Sequence, residues 1–267
     1  MPKFERNGHS MHYEVHGQGE PVLLMGGWGT FCHGEDRHLP AGLTDRYSVV
    51  VFDYRGIGDS SDDLSVPAST KLFADDAMSL IDHLGIERVH LIGLIGMGAA
   101  IAQEIATARP SLVRSMVNTG AWLNADRFLA DQLEMFRFIH RDLGFLAFQR
   151  AVSVLSFEPA YYNKNIDRLL GEKGVWHHLN GRLQTHERFI DACVGHDTRD
   201  RAGQIKAPTF VLHAELDQVT GPRTTQPIQD AIPNAEGRVM ANAAHVIAGS
   251  QLKKEFGEVL LNFLGRH

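Results

Sequence analysis

The sequence predicts an α/β fold: a mostly parallel sheet with helices on both faces, interrupted once by a helical insertion. Three observations predict it. Short apolar runs recur as Val22-Leu23-Leu24-Met25, Val49-Val50-Val51-Phe52, Val89-His90-Leu91-Ile92 and Phe210-Val211-Leu212. Such runs lack the alternation of a half-wet sheet and fit strands buried on both faces, as parallel strands are. Helically spaced apolar residues separate them. From about residue 124 to 198 no such run occurs, and helical spacing takes over.

The elements follow in order. Phe73, Ala77, Leu80, Ile81 and Leu84 form one apolar stripe, which makes an amphipathic helix packed on the sheet. Gly85 then ends it, as glycine does at a helix C-terminus. Thr119 stands at the end of a further strand. In the middle, one stripe uses Leu129, Leu133, Phe136 and Ile139, and another Phe145, Phe148, Val152 and Leu155. A third segment, from Trp176 to His196, is rich in His and Arg. The division is therefore core (1–123), helical cap (124–198) and core again (199–267). Most cap aromatics should be ordinary packing, with a few facing a cavity at the seam. Leu252, Phe256, Val259, Leu260 and Phe263 give a terminal helix.

Composition narrows the function. The 267 residues carry 26 Lys+Arg against 32 Asp+Glu, a net charge of −6. That balance lacks the clustered basic face of a nucleic-acid binder. The longest nearly apolar run, Gly93 to Ala102, falls far short of the ~20 residues that span a bilayer. The opening Met1 to Arg6 has no apolar stretch behind it and does not read as a signal peptide. Cys32 and Cys193 are the only cysteines, too few for a disulfide scaffold. The expectation is a cytoplasmic protein with a small-molecule substrate, no nucleic-acid partner and no membrane partner. Nothing indicates an oligomeric state.

Four motifs carry the chemistry. Val22 to Gly29 is a strand running into Gly26-Gly27-Trp28-Gly29. Asp53-Tyr54-Arg55-Gly56-Ile57-Gly58-Asp59-Ser60 follows the next strand, its glycines allowing a tight loop braced by Arg55. Val89 to Ala100 reads strand, tight turn, helix start. Asp217 lies after a strand, and His245 stands 28 residues further on, within Ala-Asn-Ala-Ala-His. Together these resemble the α/β-hydrolase superfamily over essentially the whole chain. Its pattern is an oxyanion turn, D-x-R-G-x-G-x-S, a G-x-S-x-G elbow, then acid and histidine in that order. The cap and its exit, His196 to Arg201 leading to Ala207-Pro208, look most like the β-ketoadipate enol-lactonase and aminoacrylate (carbamate) hydrolase branch.

The resemblance implies an eight-stranded sheet, Asp217 as orienting acid and His245 as general base. It puts the backbone N–H groups of Trp28 and Met97 at an oxyanion hole, with Gly27 beside them. The chemistry agrees, because a carboxylate on one imidazole nitrogen fixes the tautomer and stabilises the imidazolium that forms. Two departures stand out. The oxyanion turn has Gly26-Gly27 where the family has His-Gly. The elbow has no serine, and none lies between Val89 and Ala106.

Two registers fit that corner. Counting from the strand puts Ile95 there, a β-branched residue at positive φ. Counting back from the helix puts Gly96 there, at little cost, with one extra residue at the strand end. The second keeps the helix aligned and is preferred. Cys32 and Thr119 are the remaining side chains with nucleophilic atoms that could approach the pocket. The leading expectation is that His245 activates water against a small electrophile such as an enol-lactone, enamine, carbamate or ketone. Alternatives are proton-transfer chemistry of a lyase, isomerase, decarboxylase or cofactor-free oxygenase, or a small-molecule binding protein. Arg137, Arg141, Arg150, Arg182 and Arg188 are candidates to clamp a substrate carboxylate. The adjacent His177 and His178 should diverge. No cofactor and no metal are expected, since Gly93-Leu94-Ile95-Gly96-Met97-Gly98 has the wrong spacing for a dinucleotide loop.

Overall fold

The computed structural model describes residues 3–6 and 8–267; Met1 and Pro2, which open the segment read above for a signal peptide, lie outside it. Among the described residues eight strands form one sheet in the order β1-β2-β4-β3-β5-β6-β7-β8. β1 (Lys3–Arg6) and β2 (His9–His16) pair antiparallel, and β2 pairs antiparallel with β4 (Tyr47–Phe52). All remaining pairings, through β3 (Glu20–Met25), β5 (Val89–Gly93), β6 (Val113–Thr119), β7 (Thr209–Ala214) and β8 (Ala235–Met240), are parallel. This is the α/β-hydrolase architecture, as the sequence predicts.

Helices α1 (Thr70–His83), α2 (Met97–Ala108), α7 (Gly221–Ala231) and α8 (Ser250–Leu264) cover the sheet. α1 starts where the Ser69 side chain accepts from the Leu72 N–H, an N-cap that satisfies one orphan amide. Gly85, at φ 66°, follows its end. β5 is buried at every position, so its apolar run packs against both helix layers.

The cap consists of α3 (Arg127–Leu143), α4 (Phe145–Ser156), α5 (Pro159–Leu169) and α6 (Leu183–Val194). Its neck is closed by an antiparallel bridge between Asn124 and Asp197 and by the Thr198 N–H donating to Leu123 O at 2.8 Å. α5 was not legible from periodicity because Leu169 alone among its residues is buried. The His/Arg-rich third segment is only partly helical, a short 3-10 turn at His177–Leu179 preceding α6. Its two histidines do not diverge: their ring centroids are 3.8 Å apart, because a left-handed Trp176 starts the turn instead of a regular helix. Among the described residues no helix is long and apolar enough to cross a membrane.

Register sets the site. Met25 lies beside Gly93, Gly93 beside Asn118, and Thr119 beside Leu212. The C-terminal ends of four neighbouring strands therefore open at one edge, where loops in α/β sheets gather ligand groups.

Candidate active site

The acid comes from the loop after β7. One Asp217 carboxylate oxygen accepts the Val219 and Thr220 N–H groups at 2.8 and 2.9 Å. The other accepts the Thr220 hydroxyl at 2.7 Å and pairs with His245 Nδ1 at 2.9 Å. Burial alone would raise this carboxyl, but the imidazole and the Thr220 donors overcome it and hold it well below the usual carboxylate range. Asp217 is thus an anion locked in a turn of its own making.

His245 comes from the loop between β8 and α8. That loop is fastened to the acid loop by the Leu216 N–H on Ala243 O (2.8 Å), and to the cap by the Val246 N–H on Ser156 O (2.8 Å). Gly120, at φ 57°, gives the ring its room, because a Cβ there would sit 3.0 Å from Cε1 and 3.1 Å from Nδ1. With Nδ1–H committed to Asp217, the Nε2 lone pair is left free to take a proton.

The corner after β5 bends at two residues. Ile95 lies at φ 56°, its N–H on the Thr119 hydroxyl at 3.1 Å. Gly96 follows at φ 65°, ψ −99° and caps α2. The two registers drawn from sequence treat positive φ as belonging to one residue or the other, whereas both adopt it. The helix is wedged against the sheet by glycines on either side. A Cβ on Gly93 would meet Ala99 Cα at 2.4 Å, and one on Gly98 would meet Met25 O at 2.2 Å.

No hydroxyl stands at the corner. A Cβ on Gly96 would lie 3.2 and 3.3 Å from Cζ3 and Cη2 of Trp122, whose ring edge flanks the place a nucleophile's side chain would start. On the other side, a Cβ on Gly27 would lie 2.9 Å from Ile95 O, so the glycine turn after β3 comes as close as glycine permits. Met97 is the first residue of α2, and its N–H has no carbonyl partner within the helix.

These groups share one cavity. From the core it is lined by Gly27, Trp28, Ile95, Gly96, Met97 and Trp122, with Val219 and His245 completing that wall. The cap adds Leu133, Phe136, Val152, Ser156, Trp176 and Cys193. The space is narrow, about 40 Å³, enough for a small ligand fragment or a few waters. Trp122 Nε1 and the Ser156 hydroxyl are buried there without a hydrogen-bond partner. Buried polar atoms left so are costly, and a polar ligand would satisfy them. Sequence reasoning missed both: Ser156 is merely the last residue of a cap helix.

Other expected residues lie elsewhere. Cys32 is fully buried beside Val22, Leu24 and Val49, outside the cavity, and burial together with the charge of Asp53 pushes its thiol far up. Thr119 is occupied in holding Ile95. Cys193 does reach the cavity, but burial raises its thiol to about 12, so it is a packing residue. Among the cap arginines, Arg137 binds Asp191, Arg141 binds Asp142, Arg182 binds Gly56 O and Arg188 binds Asp62. Neither these nor Arg150 line the cavity. Arg55 braces its loop as expected, pairing with Asp76 at 2.6 and 2.7 Å.

An eight-stranded α/β sheet with an acid–histidine pair at its C-terminal edge defines a hydrolase-type site. The family model of the alpha/beta hydrolase fold matches residues 20–249, and the chain belongs to this family. It is 30% identical over 266 residues to the "Putative carbamate hydrolase RutD" of Azorhizobium caulinodans, spanning 99% of this chain and 98% of that protein. The protein of the same name from Stutzerimonas stutzeri is 28% identical over 259 residues, 95% of this chain and 96% of that one. Among solved structures, the enol-lactonase of Burkholderia xenovorans superposes with a TM-score of 0.86 at 22% identity, covering 99% of this chain and 100% of that one. The alpha/beta hydrolase MGS-M2 from a deep-sea metagenome library reaches 0.88 at 20% identity, covering 100% and 98%.

Proposed function

We propose that this protein hydrolyses a small activated carbonyl substrate of carbamate or enol-lactone type, with His245 activating water directly. One observation carries the reading: His245, paired with Asp217 at 2.9 Å, sits on the wall of a cavity whose nucleophile corner is a glycine. The full-length similarity to proteins named as carbamate hydrolases supports the substrate class.

The step balances without a covalent intermediate. His245 Nε2 takes one proton of water as the water oxygen bonds to the carbonyl carbon. The carbonyl electrons move to its oxygen, against the Trp28 and Met97 N–H groups. The bond to the leaving nitrogen or oxygen then breaks, and the imidazolium returns its proton to the leaving atom. Asp217 stays ionised and steadies the cation. General-base catalysis contributes typically ~10²–10⁴-fold and oxyanion donors a similar factor, which suits a labile substrate and not a plain amide.

Single turnover in ¹⁸O-water, on a panel of small carbamates and enol-lactones, tests this. The expected result is ¹⁸O in the acyl product and no label on the protein. His245→Ala should lose ~10²–10⁴-fold in kcat/KM. A fluorophosphonate should leave the wild type unmodified; stoichiometric labelling of Ser156 would replace water by that hydroxyl. Turnover without ¹⁸O would reassign His245 to substrate proton abstraction.

A further inference from the structure

A second cluster of chemically active side chains lies under the loop that carries Trp28. β2 contributes His12 and Glu14, the segment after the oxyanion turn contributes Cys32 and His33, and the end of β4 leads into Asp53. One ligand atom from each of His12, His33 and Asp53 lies within 4.8 Å of the other two, and the same holds for His12, Glu14 and Cys32. The sequence reading, which weighed only the adjacent His177 and His178 as ligands, expected no metal here.

Two of these groups are buried with nothing to bond. His12 and Asp53 both have 0% exposure, yet His12 Nδ1 and Asp53 Oδ1 have no partner. Both are acceptors. His12 Nε2 lies 3.2 Å from the Glu14 carboxylate and donates its N–H to it, which leaves a lone pair on Nδ1. Asp53 Oδ2 is engaged by His33 Nε2 at 2.7 Å and the Asp59 N–H at 2.8 Å, while Oδ1 has no partner within hydrogen-bond distance. The neighbouring Cys32 thiol is a weak donor to this carboxyl, and a buried lone pair beside a buried carboxyl oxygen suits a cation.

His33 supports the same conclusion. Its backbone is held at φ 61°, unusual for a residue other than glycine, and its N–H is tied to Glu14 at 2.8 Å. Its ring stacks on that of His12 with centroids 4.6 Å apart, so it has to turn out of the stack for both in-plane lone pairs to reach one ion, which its exposure allows. Its side chain keeps 25% exposure, so the cluster has an entrance.

We infer that His12, His33 and Asp53 form a binding site for a divalent transition-metal cation of the zinc type. Two neutral imidazoles and one carboxylate are a common zinc donor set, with a fourth place for water. Glu14 on the far nitrogen of His12 supplies the outer carboxylate that orients metal-bound histidines. On binding, the His33 proton moves from Nε2 to Nδ1, and the ion takes the place of the 2.7 Å bond to Asp53. The ligand atoms then close to ~3.3 Å of one another, as bonds of ~2.0 Å to a tetrahedral ion require. The ion would pin the Trp28 loop to the β2–β4 edge of the sheet.

Chelator-stripped protein titrated with Zn²⁺ against a chromophoric indicator tests the site, with thermal unfolding as a second readout. The wild type should take up one equivalent and unfold at a higher temperature with zinc than without it. His33→Asn, which tolerates the left-handed backbone and keeps a donor for Asp53, should lose at least 10-fold in affinity and most of the thermal shift. His38→Ala/His83→Ala, the control for adventitious binding to exposed histidines, should retain both. Absence of stoichiometric uptake, or equal uptake by His33→Asn, overturns the site, as does loss of uptake in the His38/His83 control alone.

Discussion

Gly96 and Gly98 are two residues apart and forbid a side chain for different reasons. At Gly98 the obstacle is backbone: a Cβ would lie 2.2 Å from Met25 O, which cannot yield without parting α2 from β3. At Gly96 the obstacles are the positive φ of 65° and the ring edge of Trp122 at 3.2 Å, a contact the ring can relieve by moving a few tenths of an ångström. Gly96→Ala should therefore lower stability by about 1–3 kcal/mol, the scale of one strained backbone conformation, and Gly98→Ala by clearly more, both read by urea unfolding. The same geometry bears on installing a nucleophile. Gly96→Ser alone should react slowly with a fluorophosphonate, because Trp122 crowds its hydroxymethyl group. Combining it with Trp122→Leu should speed labelling, and equal rates in the two variants would mean that Trp122 does not guard the corner.

Buried ionisable groups at the cap–core junction and in the turn before α6 make the stability of these elements depend on pH. Glu104 on α2 meets Arg201, beyond the cap's exit, at 2.8 and 3.0 Å. Burial works against its charge, but the hydrogen bonds from His196 and Arg201 win and lower it to about 2. His178, on the turn before α6, is lowered to about 4 by burial and then by the charge of His177. Both folded values lie below the ordinary 4.5 and 6.5, so each group stabilises the fold at neutral pH and loses that contribution on acidification. Melting temperature should fall in two stages. His178→Gln should flatten the stage between pH 6.5 and 4, and Glu104→Gln the stage between pH 4.5 and 2. The elements of the fold were unevenly legible in the sequence. β3, β4, β5 and β7 show themselves as apolar runs because both their faces are covered. β8, with Glu236 to Val239 all exposed, has no such run, and α5 buries too little to show a stripe. Asp217 and His245 were readable through the order of motifs shared with the α/β-hydrolase family, acid then histidine 28 residues on. The His12–His33–Asp53 cluster was not, because antiparallel pairing of β2 with β4 joins residues that sequence spacing keeps far apart.

At the scale of the molecule the question is whether the cap is a separate body on a hinge or part of the core. The buried side chains argue for one body. Phe189 of α6 packs edge-on against Tyr54 and Phe73 of the core, with centroids 6.0 and 5.7 Å apart. Trp28, in the glycine turn after β3, meets Phe136 of α3 and Phe148 of α4 at 6.1 and 6.2 Å. These residues belong to one continuous apolar cluster running from β3 through α2 into the cap helices. An aromatic removed from that cluster takes ~3–5 kcal/mol from the packing on both sides of the seam at once. Calorimetry should therefore give a single transition for cap and core, its van't Hoff and calorimetric enthalpies agreeing. Phe189→Ala should move that whole transition down and not split off an earlier one. A distinct low-temperature transition, with loss of amide protection confined to α3–α6, would instead make the cap a hinged lid. Substrate entry would then depend on cap opening, and not on access through the narrow cavity between Trp28, Trp122 and Ser156.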